Sequence, residues 1–470
     1  MLKQAREWVA DRFGLKPIRA QVLDRRVPKT PWYFGDGATL TLLFAVQVVT
    51  GMALSLTYSP TPDTAYVSIQ FITEQQTLGW FLRALHFWAA GIMVVMLFAH
   101  LFRQILLGGY KFPREGTWLF GVGLFFLVLV ISFLGYLLRW DERALAAIQV
   151  MLTMFQHVPV IGEALVLLVQ GGSEPGALTL TRIYSMHVIV LPALITMLIG
   201  GHLYLVIFHG VTSRRERKEP VRDVEEQRRL YKEQAHSEKE GEDFHPETTA
   251  KSGVMAMVVL AIVVALALIA GPAALLPEAS RTDVSFPVEE WWFAWYSALI
   301  ALLPPAIAPW FVVFFPLVVF VILVALPFVD RGPFRGIRKR PLALFAVAAL
   351  VISLVALSAL RQRSPWTGWP LEEPPPVPAG VELAPTAEQG RLLAGKYGCT
   401  SCHAFAGYGR QVAVDLARTP TPLSREHMRG YILQPPEGIA MPPYRGRLSD
   451  EELDQLLDFL LAAQMFPRTN

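Results

Sequence analysis

The chain has 470 residues, of which 53% are hydrophobic and only 17% charged, and its mean hydropathy is +0.39. Soluble proteins carry about 25% charged residues, so this composition excludes a set of water-soluble domains and places most of the chain in lipid. The net charge of +3 is too small to indicate nucleic-acid binding, and two cysteines exclude a disulfide scaffold.

Seven apolar stretches reach the ~20 residues that a helix needs to cross a bilayer. We name them spans A to G in chain order: 38–58, 78–101, 117–138, 183–208, 253–276, 310–329 and 341–360. A shorter stretch, 291–303, is predicted as an interfacial or re-entrant helix because it is too short to span. The sequence therefore predicts an all-α membrane protein.

Basic residues are distributed unequally between the two sets of loops. The N-terminal segment, the B–C loop and the F–G loop together carry 16 Lys and Arg, and the opposite loops carry four. The positive-inside rule then places the N-terminus in the cytoplasm and the end of span G outside. Residues 1–14 lack the apolar core of a signal peptide and are predicted as an amphipathic surface helix.

Two hydrophilic segments divide the chain. Residues 212–252 carry many charges of both signs and are predicted as a solvated cytoplasmic linker. Residues 361–385 are rich in proline, which predicts a stiff spacer on the outer side. The predicted parts are 1–35 (cytoplasmic segment), 36–211 (spans A to D, a four-helix bundle), 212–252 (linker), 253–360 (three further helices), 361–385 (spacer) and 386–470 (a small soluble all-α domain).

Spans B and D each contain two histidines at matching intervals. His86 and His100 are 14 residues apart, and His187 and His202 are 15 apart, so each span presents both rings near one face. If B and D face each other, His86 meets His187 (the outer pair) and His100 meets His202 (the inner pair). Such pairs are typical axial ligands of b-type haem. The alternative, four histidines bonded to neighbouring backbone, does not account for two matched intervals.

Glycines in the other two spans repeat at the same interval. They are Gly37 and Gly51 in span A, and Gly121 and Gly135 in span C. A flat macrocycle between helices requires positions without side chains, although small residues also serve ordinary helix packing. The shared interval favours haem. Arg83, one turn before His86, is a candidate partner for a haem propionate, and the alternative is a snorkelling interfacial arginine.

Both cysteines lie in one motif of the soluble domain, Cys399-Thr400-Ser401-Cys402-His403. CxxCH is the c-type haem attachment signature, in which the histidine becomes an axial ligand. The alternative is a thioredoxin-like redox pair, which the following histidine disfavours. Met441, in a loop before a predicted helix at 450–465, is the predicted second axial ligand, whereas Met428 lies in a predicted helix and is assigned to the core. Methionine ligation raises the potential, as suits an electron exit.

With five further motifs, the chain resembles cytochrome b of the quinol:cytochrome c and quinol:plastocyanin oxidoreductases, fused to a class I cytochrome c domain. The motifs are residues 79–86 (GWFLRALH), 108–115 (GGYKFPRE), 135–141 (GYLLRWD), 159–162 (PVIG) and 180–187 (LTRIYSMH). The 15-residue step in span D resembles the chloroplast and Gram-positive branch. In that branch spans E to G are often a separate chain, and here they are fused.

The resemblance implies a quinol-oxidising site after span E. The family's Pro-Glu-Trp-Tyr motif corresponds here to Glu289-Glu290-Trp291-Trp292, so that Glu289 replaces the proline and Trp292 the tyrosine. Glu290 is implied to accept a proton from quinol, with a pKa raised by burial. Trp291, Trp292 and Tyr136 are candidate quinol contacts. The alternative for Glu290 is a plain interfacial carboxylate.

The implied function is that of the core subunit of a proton-translocating quinol:cytochrome c reductase with two haem b and one haem c. One electron from quinol passes to a Rieske iron–sulfur protein and on to haem c. The other crosses through the outer and inner haems to reduce quinone inside. The expected surroundings are a prokaryotic plasma membrane, a terminal oxidase or soluble electron carrier, and a second copy in a homodimer, with no nucleic acid.

Two other functions remain at this point. One is a di-haem membrane anchor that links an external dehydrogenase to the quinone pool, which would need neither the Glu290 motif nor spans E to G. The other is a non-catalytic assembly subunit whose haems are structural.

Overall fold

The computed structural model describes residues 2–211, 223–276, 278, 290–303, 307–363, 374–401, 403–409, 413–419, 421–436, 441 and 443–466. Nearly all regular structure is helical, which confirms the predicted fold class. The chain forms two compact units. One comprises residues 1–140, 151–275 and 305–354, and the other comprises 141–150, 276–304 and 355–470.

The helices and strands follow one another along the chain. The α-helices are α1 (Leu2–Arg12), α2 (Leu15–Val22), α3 (Asp36–Ser55), α4 (Ala65–Glu74), α5 (Gly79–Leu107), α6 (Glu115–Leu137), α7 (Glu142–Gln156), α8 (Gly162–Gln170), α9 (Ala177–Ser185), α10 (Leu191–His209), α11 (Val224–His236), α12 (Thr249–Ala270), α13 (Ala294–Ala301), α14 (Ala308–Val329), α15 (Pro341–Arg363), α16 (Pro385–Lys396), α17 (Arg425–Leu433) and α18 (Asp450–Ala463). The strands are β1 (Arg26–Pro28), β2 (Gly241–Asp243), β3 (Ala404–Phe405) and β4 (Tyr408–Gly409).

Within the described residues, seven helical segments are long and apolar enough to cross a membrane, as predicted. They are Trp32–Ser55, Gly79–Leu107, Glu115–Leu137, Ala177–His209, Phe244–Ala270, Trp310–Val329 and Pro341–Arg361. The fifth span ends before the predicted residue 276 because Gly271 adopts a left-handed φ of 69° and Pro272 follows it. The short stretch after it also forms a helix, α13, as predicted.

The first unit is built on a bundle of apolar helices. Helix α3 packs against α5, and α6 packs against α10. Helix α12 lies on α3 and α5, and α14 lies on α6, where Trp118 Nε1 donates to Leu323 O at 2.6 Å. Spans A to D are therefore joined in one unit with the first helices of the following part of the chain.

Some structure was not anticipated from the sequence. Helices α4, α7 and α8 lie in segments expected to be loops. Their apolar stretches are shorter than a membrane span and are therefore not predicted as helices. The predicted linker contains α11 and β2, and β2 pairs antiparallel with β1. Glu242 in β2 is only 3% exposed and forms an ion pair with Lys251. The segment is thus partly folded onto the N-terminal region, and residues 212–222 lie outside the described ranges.

The C-terminal domain of the second unit is small and helical. Helix α16 packs closely on α18, since a Cβ on Gly390 would lie 1.9 Å from Gln455 O. Helix α18 matches the predicted closing helix and begins with a capping box between Ser449 and Glu452. Met428 is 5% exposed within the core, as predicted. Residues 364–373 of the predicted spacer lie outside the described residues.

Candidate functional site

Each of the four repeated glycines lies against one of the four membrane histidines. The distances from an added Cβ to the nearest imidazole atom, Cε1 in each case, are 2.6 Å for Gly135 and His187, 3.2 Å for Gly51 and His86, 3.3 Å for Gly121 and His202, and 3.8 Å for Gly37 and His100. Helices α3 and α6 thus approach the edges of the imidazole rings at positions where the helix has a glycine and therefore no side chain. The glycine and histidine intervals that matched in sequence also match in space.

The outer pair brings two rings to face each other across a short gap. The ring centroids of His86 and His187 are 6.3 Å apart and the ring planes are inclined by 72°. A metal–imidazole nitrogen bond is about 2 Å long, so two rings on opposite sides of one ion have centroids roughly 6 Å apart. The observed separation suits two axial ligands of one iron.

A π-helical turn explains the unequal histidine intervals. An α-helix turns ~100° per residue, so 15 residues would leave His187 and His202 out of phase with the 14-residue step in α5. His187 lies in the π-helical turn Met186–Val190, which accommodates one extra residue. Pro192 contributes to this turn because it lacks the amide hydrogen that an α-helix would require there. The π turn therefore brings the 15-residue step back into phase.

Hydrogen bonds at Nδ1 select one tautomer for the two histidines of span D. His187 Nδ1 lies 2.9 Å from Ile131 O, and His202 Nδ1 lies 3.0 Å from Thr117 O. A carbonyl oxygen only accepts, so each Nδ1 carries the hydrogen and each Nε2 keeps its lone pair. This is the arrangement that a metal-ligating histidine requires.

The two histidines of span B also have acceptors at Nδ1. His86 Nδ1 lies 2.9 Å from Thr50 Oγ1, whose own hydrogen is donated to Val46 O at 2.6 Å. The Thr50 hydroxyl therefore accepts from His86. His100 Nδ1 lies 3.2 Å from Asp36 Oδ1, off the line of a regular hydrogen bond. His86, His187 and His202 thus leave Nε2 for a metal, and at His100 the nearest acceptor to Nδ1 is the Asp36 carboxylate.

These features fit haem better than a bare metal ion. In the described part of the chain, no group of three or more His, Cys, Asp or Glu side chains is arranged to hold a metal. Two imidazoles per level, with glycine clearance beside each ring, suit a flat macrocycle that supplies the remaining ligands itself.

Arg83 lies at the start of α5 and contacts protein groups. Its Nη1 donates to Thr73 Oγ1 at 3.1 Å, and its Nη2 donates to Ala273 O at 2.5 Å. These contacts tie α5 to α4 and to the segment after α12. The role of Arg83 towards a propionate stays a prediction.

The histidine of the C-terminal CxxCH motif also has a hydrogen-bond acceptor at Nδ1. His403 Nδ1 lies 2.9 Å from Val414 O, so Nε2 is left for a metal. Cys399 is partly buried, and Cys402 lies outside the described residues. Met441 is partly buried and packs against the core of the domain. The ligand set predicted for haem c stays a prediction.

The predicted quinol-site residues belong to two segments of the chain, one at the 3₁₀ turn before helix α13 and one at the end of α6. Glu290 is partly buried and precedes the 3₁₀ turn Trp291–Phe293, and its carbonyl accepts from Phe293 N at 2.8 Å. Trp292 is 6% exposed and Trp291 39% exposed. Tyr136, at the end of α6, is 5% exposed and lies under the Arg139 guanidinium at 4.6 Å. Glu289 lies outside the described residues.

Sequence reasoning missed the side chains that hold the span B histidines. Thr50 and Asp36 both lie on α3, and each immediately precedes a glycine that lies beside a histidine, Gly51 and Gly37. A polar residue before each glycine was a visible signal. Its meaning depends on the packing of α3 against α5.

Comparisons with known proteins agree with this geometry. The family model described as Cytochrome b/b6/petB matches residues 23–210, and that described as Cytochrome b(C-terminal)/b6/petD matches 286–371. The model described as Cytochrome C oxidase, cbb3-type, subunit III matches residues 385–460.

Curated relatives and a solved structure extend the likeness. Cytochrome b6 of Synechococcus elongatus is 38% identical over 208 residues, which are 44% of this chain and 96% of that protein. Cytochrome b6 of Cyanidium caldarium is 37% identical over the same shares. A structure titled "Hyperthermophilic respiratory Complex III" has a TM-score of 0.63 at 24% identity and covers 84% of this chain and 95% of its own. That last likeness supports the fold alone.

Proposed function

The chain belongs to the cytochrome b/b6 family, and on this basis we propose that it is the cytochrome b subunit of a proton-translocating quinol:cytochrome c reductase. His86 and His187 hold an outer haem b, and His100 and His202 hold an inner one. Cys399, Cys402, His403 and Met441 hold a haem c in the C-terminal domain. When bound, these groups supply one-electron transfer between the two faces of the membrane and to an external acceptor.

One observation carries the proposal: each of the four glycines on α3 and α6 lies beside one of the four histidines on α5 and the fourth span. Ordinary helix packing does not require this one-to-one match. The Nδ1 acceptors of three rings, His86, His187 and His202, add to it, because they leave Nε2 of each of these rings for iron.

A side chain of the protein accepts the proton that quinol releases on oxidation. Glu290 accepts a proton from quinol near the outer surface, next to the aromatic side chains of Trp291 and Trp292. Partial burial of this carboxyl suits a proton acceptor. A Rieske iron–sulfur protein takes the first electron, and a terminal oxidase or soluble carrier receives electrons from the C-terminal domain.

The cofactor assignment is tested by purifying the full chain and counting haem from reduced-minus-oxidised spectra. The proposal expects two haem b and one haem c, all reduced by quinol in the assembled complex. His86→Leu and His202→Leu should each remove one haem b, whereas His157→Gln, outside the pairs, should remove none. A wild-type chain without haem b would overturn the proposal.

The catalytic assignment needs a separate variant. Glu290→Gln should slow quinol oxidation at least tenfold while both haem b spectra stay intact. Normal turnover would exclude Glu290 from the reaction. Quinol-reducible haems in a complex that passes no electrons to a Rieske protein would instead favour the di-haem anchor.

A further inference from the structure

The inner pair contains a carboxylate that the outer pair lacks. Asp36, the first residue of α3, is 4% exposed, and its Oδ1 lies 3.2 Å from His100 Nδ1. The acceptors at the other three histidines are a hydroxyl or a backbone carbonyl. Among the described residues, His100 is thus the one membrane histidine with an anionic partner.

Arg103 pairs with this carboxylate and fixes its position. Its Nε donates to Asp36 Oδ2 at 2.6 Å and its Nη2 donates to Oδ1 at 2.7 Å, which is a bidentate pair. The guanidinium also lies 4.4 Å from the centroid of the Phe34 ring. The backbone amide of Gly37 donates to Oδ1 at 2.8 Å. Arg103 and the Gly37 amide therefore hold Asp36 in place, with Oδ1 towards His100.

We propose that Asp36 is a positioning residue of the inner haem that holds His100 in the Nδ1–H tautomer and lowers the reduction potential of that haem. A carboxylate acceptor raises the basicity of the ligating imidazole. The more basic ligand and the nearby negative charge both stabilise the ferric state. The inference rests on the proposed haem ligation by His100 and His202.

The consequence is a lower potential for the inner haem than the same haem would have without the carboxylate. Arg103 limits the effect by compensating part of the charge. The outer level lies ~21 Å away along α5 by helical rise, so the Coulomb effect of Asp36 is smaller there than at the inner level.

The test is a redox titration of the full-length holoprotein, followed by haem b absorbance. His100→Leu first identifies the component that belongs to the inner haem. Asp36→Asn keeps the shape of the side chain and an oxygen acceptor but removes the charge. It should shift that component positively by about a tenfold change in the reduction equilibrium, ~59 mV for one electron. The outer component should move by less than a third as much.

Arg103→Gln supplies the opposite change. It leaves Asp36 without its cation, so the inner component should shift negatively. A purely structural ion pair would not give shifts of opposite sign in the two variants. Asp24→Asn, an exposed carboxylate paired with Arg19, is the control and should leave both potentials unchanged.

Each outcome decides the inference. Unchanged potentials in Asp36→Asn, or shifts of the same sign in both variants, would overturn it. If Asp36→Asn loses a haem, the sign in Arg103→Gln decides. A wild-type protein without two haem b components would instead refute the proposed function.

Discussion

Gly135 lies so close to His187 that a Cβ at this position would come within 2.6 Å of Cε1. A side chain there would have to push the ring from its place, while its Nδ1 is held by the Ile131 carbonyl. At Gly37 the corresponding distance to His100 is 3.8 Å, an ordinary contact. Gly135 and Gly37 therefore differ in how much room they leave for a Cβ atom beside the histidine.

Gly135→Ala should cost the protein its outer haem, because the displaced imidazole no longer aligns with His86. We expect about half the wild-type haem b per chain, measured by absorbance of the reduced protein. Gly123→Ala, on the same helix but outside the four repeated glycines, is the matched control and should retain nearly all of it, because its Cβ would lie 3.6 Å from Leu198 Cδ1. Full haem b content in Gly135→Ala would contradict the packing described here.

An ion-pair network fixes the loop between α5 and α6 to that between α14 and α15. Lys111 Nζ donates to Asp330 Oδ1 at 2.7 Å, Tyr110 Oη donates to Oδ2 at 2.5 Å, and Arg340 also pairs with Oδ2. Partial burial raises the pKa of Asp330, but hydrogen bonds from Lys111 and Tyr110 outweigh it, so the pKa is lowered.

Asp330→Asn should destabilise the first unit, because Lys111 and Arg340 would lose their counter-charge. Breaking a buried pair costs ~3–5 kcal/mol, and since the Asp330 side chain is 31% exposed we expect about 2 kcal/mol. The measurement is the apparent Tm of the full chain at neutral pH, with Asp24→Asn as the exposed control. An unchanged Tm would contradict the prediction.

The pH dependence of that difference has a definite sign. A carboxyl with a lowered pKa stabilises the fold above its ordinary pKa, and the stabilisation is lost as pH falls through the lowered value. The gap in Tm between wild type and Asp330→Asn should thus stay constant from pH 8 to pH 6. It should shrink only below about pH 4.

The two methionines of the C-terminal domain should differ in their effect on haem c. Met441→His should lower the haem c potential, because methionine ligation raises it relative to histidine. Met428, buried in the core, is the control, and Met428→Leu should leave the potential unchanged at a small cost in stability. Redox titration at the haem c band distinguishes them, and a shift in Met428→Leu alone would reverse the assignment.

Substitution of two helical glycines of that domain by alanine should change its stability in opposite directions. A Cβ on Gly390 would meet the Gln455 carbonyl at 1.9 Å, whereas Gly430 in α17 has nothing within 4 Å. Gly390→Ala should force α16 away from α18 and lower the Tm of the haem c transition by several degrees. Gly430→Ala should raise stability by about 0.5–1 kcal/mol. Equal effects in the two variants would contradict the close helix contact.

Some of the candidate site could be predicted because its chemistry leaves a regular pattern in the chain. His86 and His100 share an interval with Gly37 and Gly51, since ligands and clearance must recur at the same two depths. The 15-residue step to His202 did not fit a regular helix. The explanation is the π turn at His187. That turn depends on the backbone hydrogen bonds around Pro192, which the sequence does not show.

The partners of the histidines could not be predicted. Thr50 and Asp36 are ordinary polar residues at the sequence level, and either could have faced another helix or the membrane surface. The helix and strand within the predicted linker could not be predicted for a similar reason. Charges on α11 and β2 suggest solvent, although Glu242 is buried by pairing with Lys251 and with the N-terminal strand.

The sequence by itself determined the membrane class, the seven spans and the positions of the candidate ligands, because burial in lipid and iron ligation both constrain residue type at fixed intervals. Only the tertiary structure decided which helix supplies the acceptor for each imidazole, and that a carboxylate rather than a hydroxyl faces His100. Those choices arise from contacts between residues far apart in the chain, where many pairings share the same local pattern and only packing selects one.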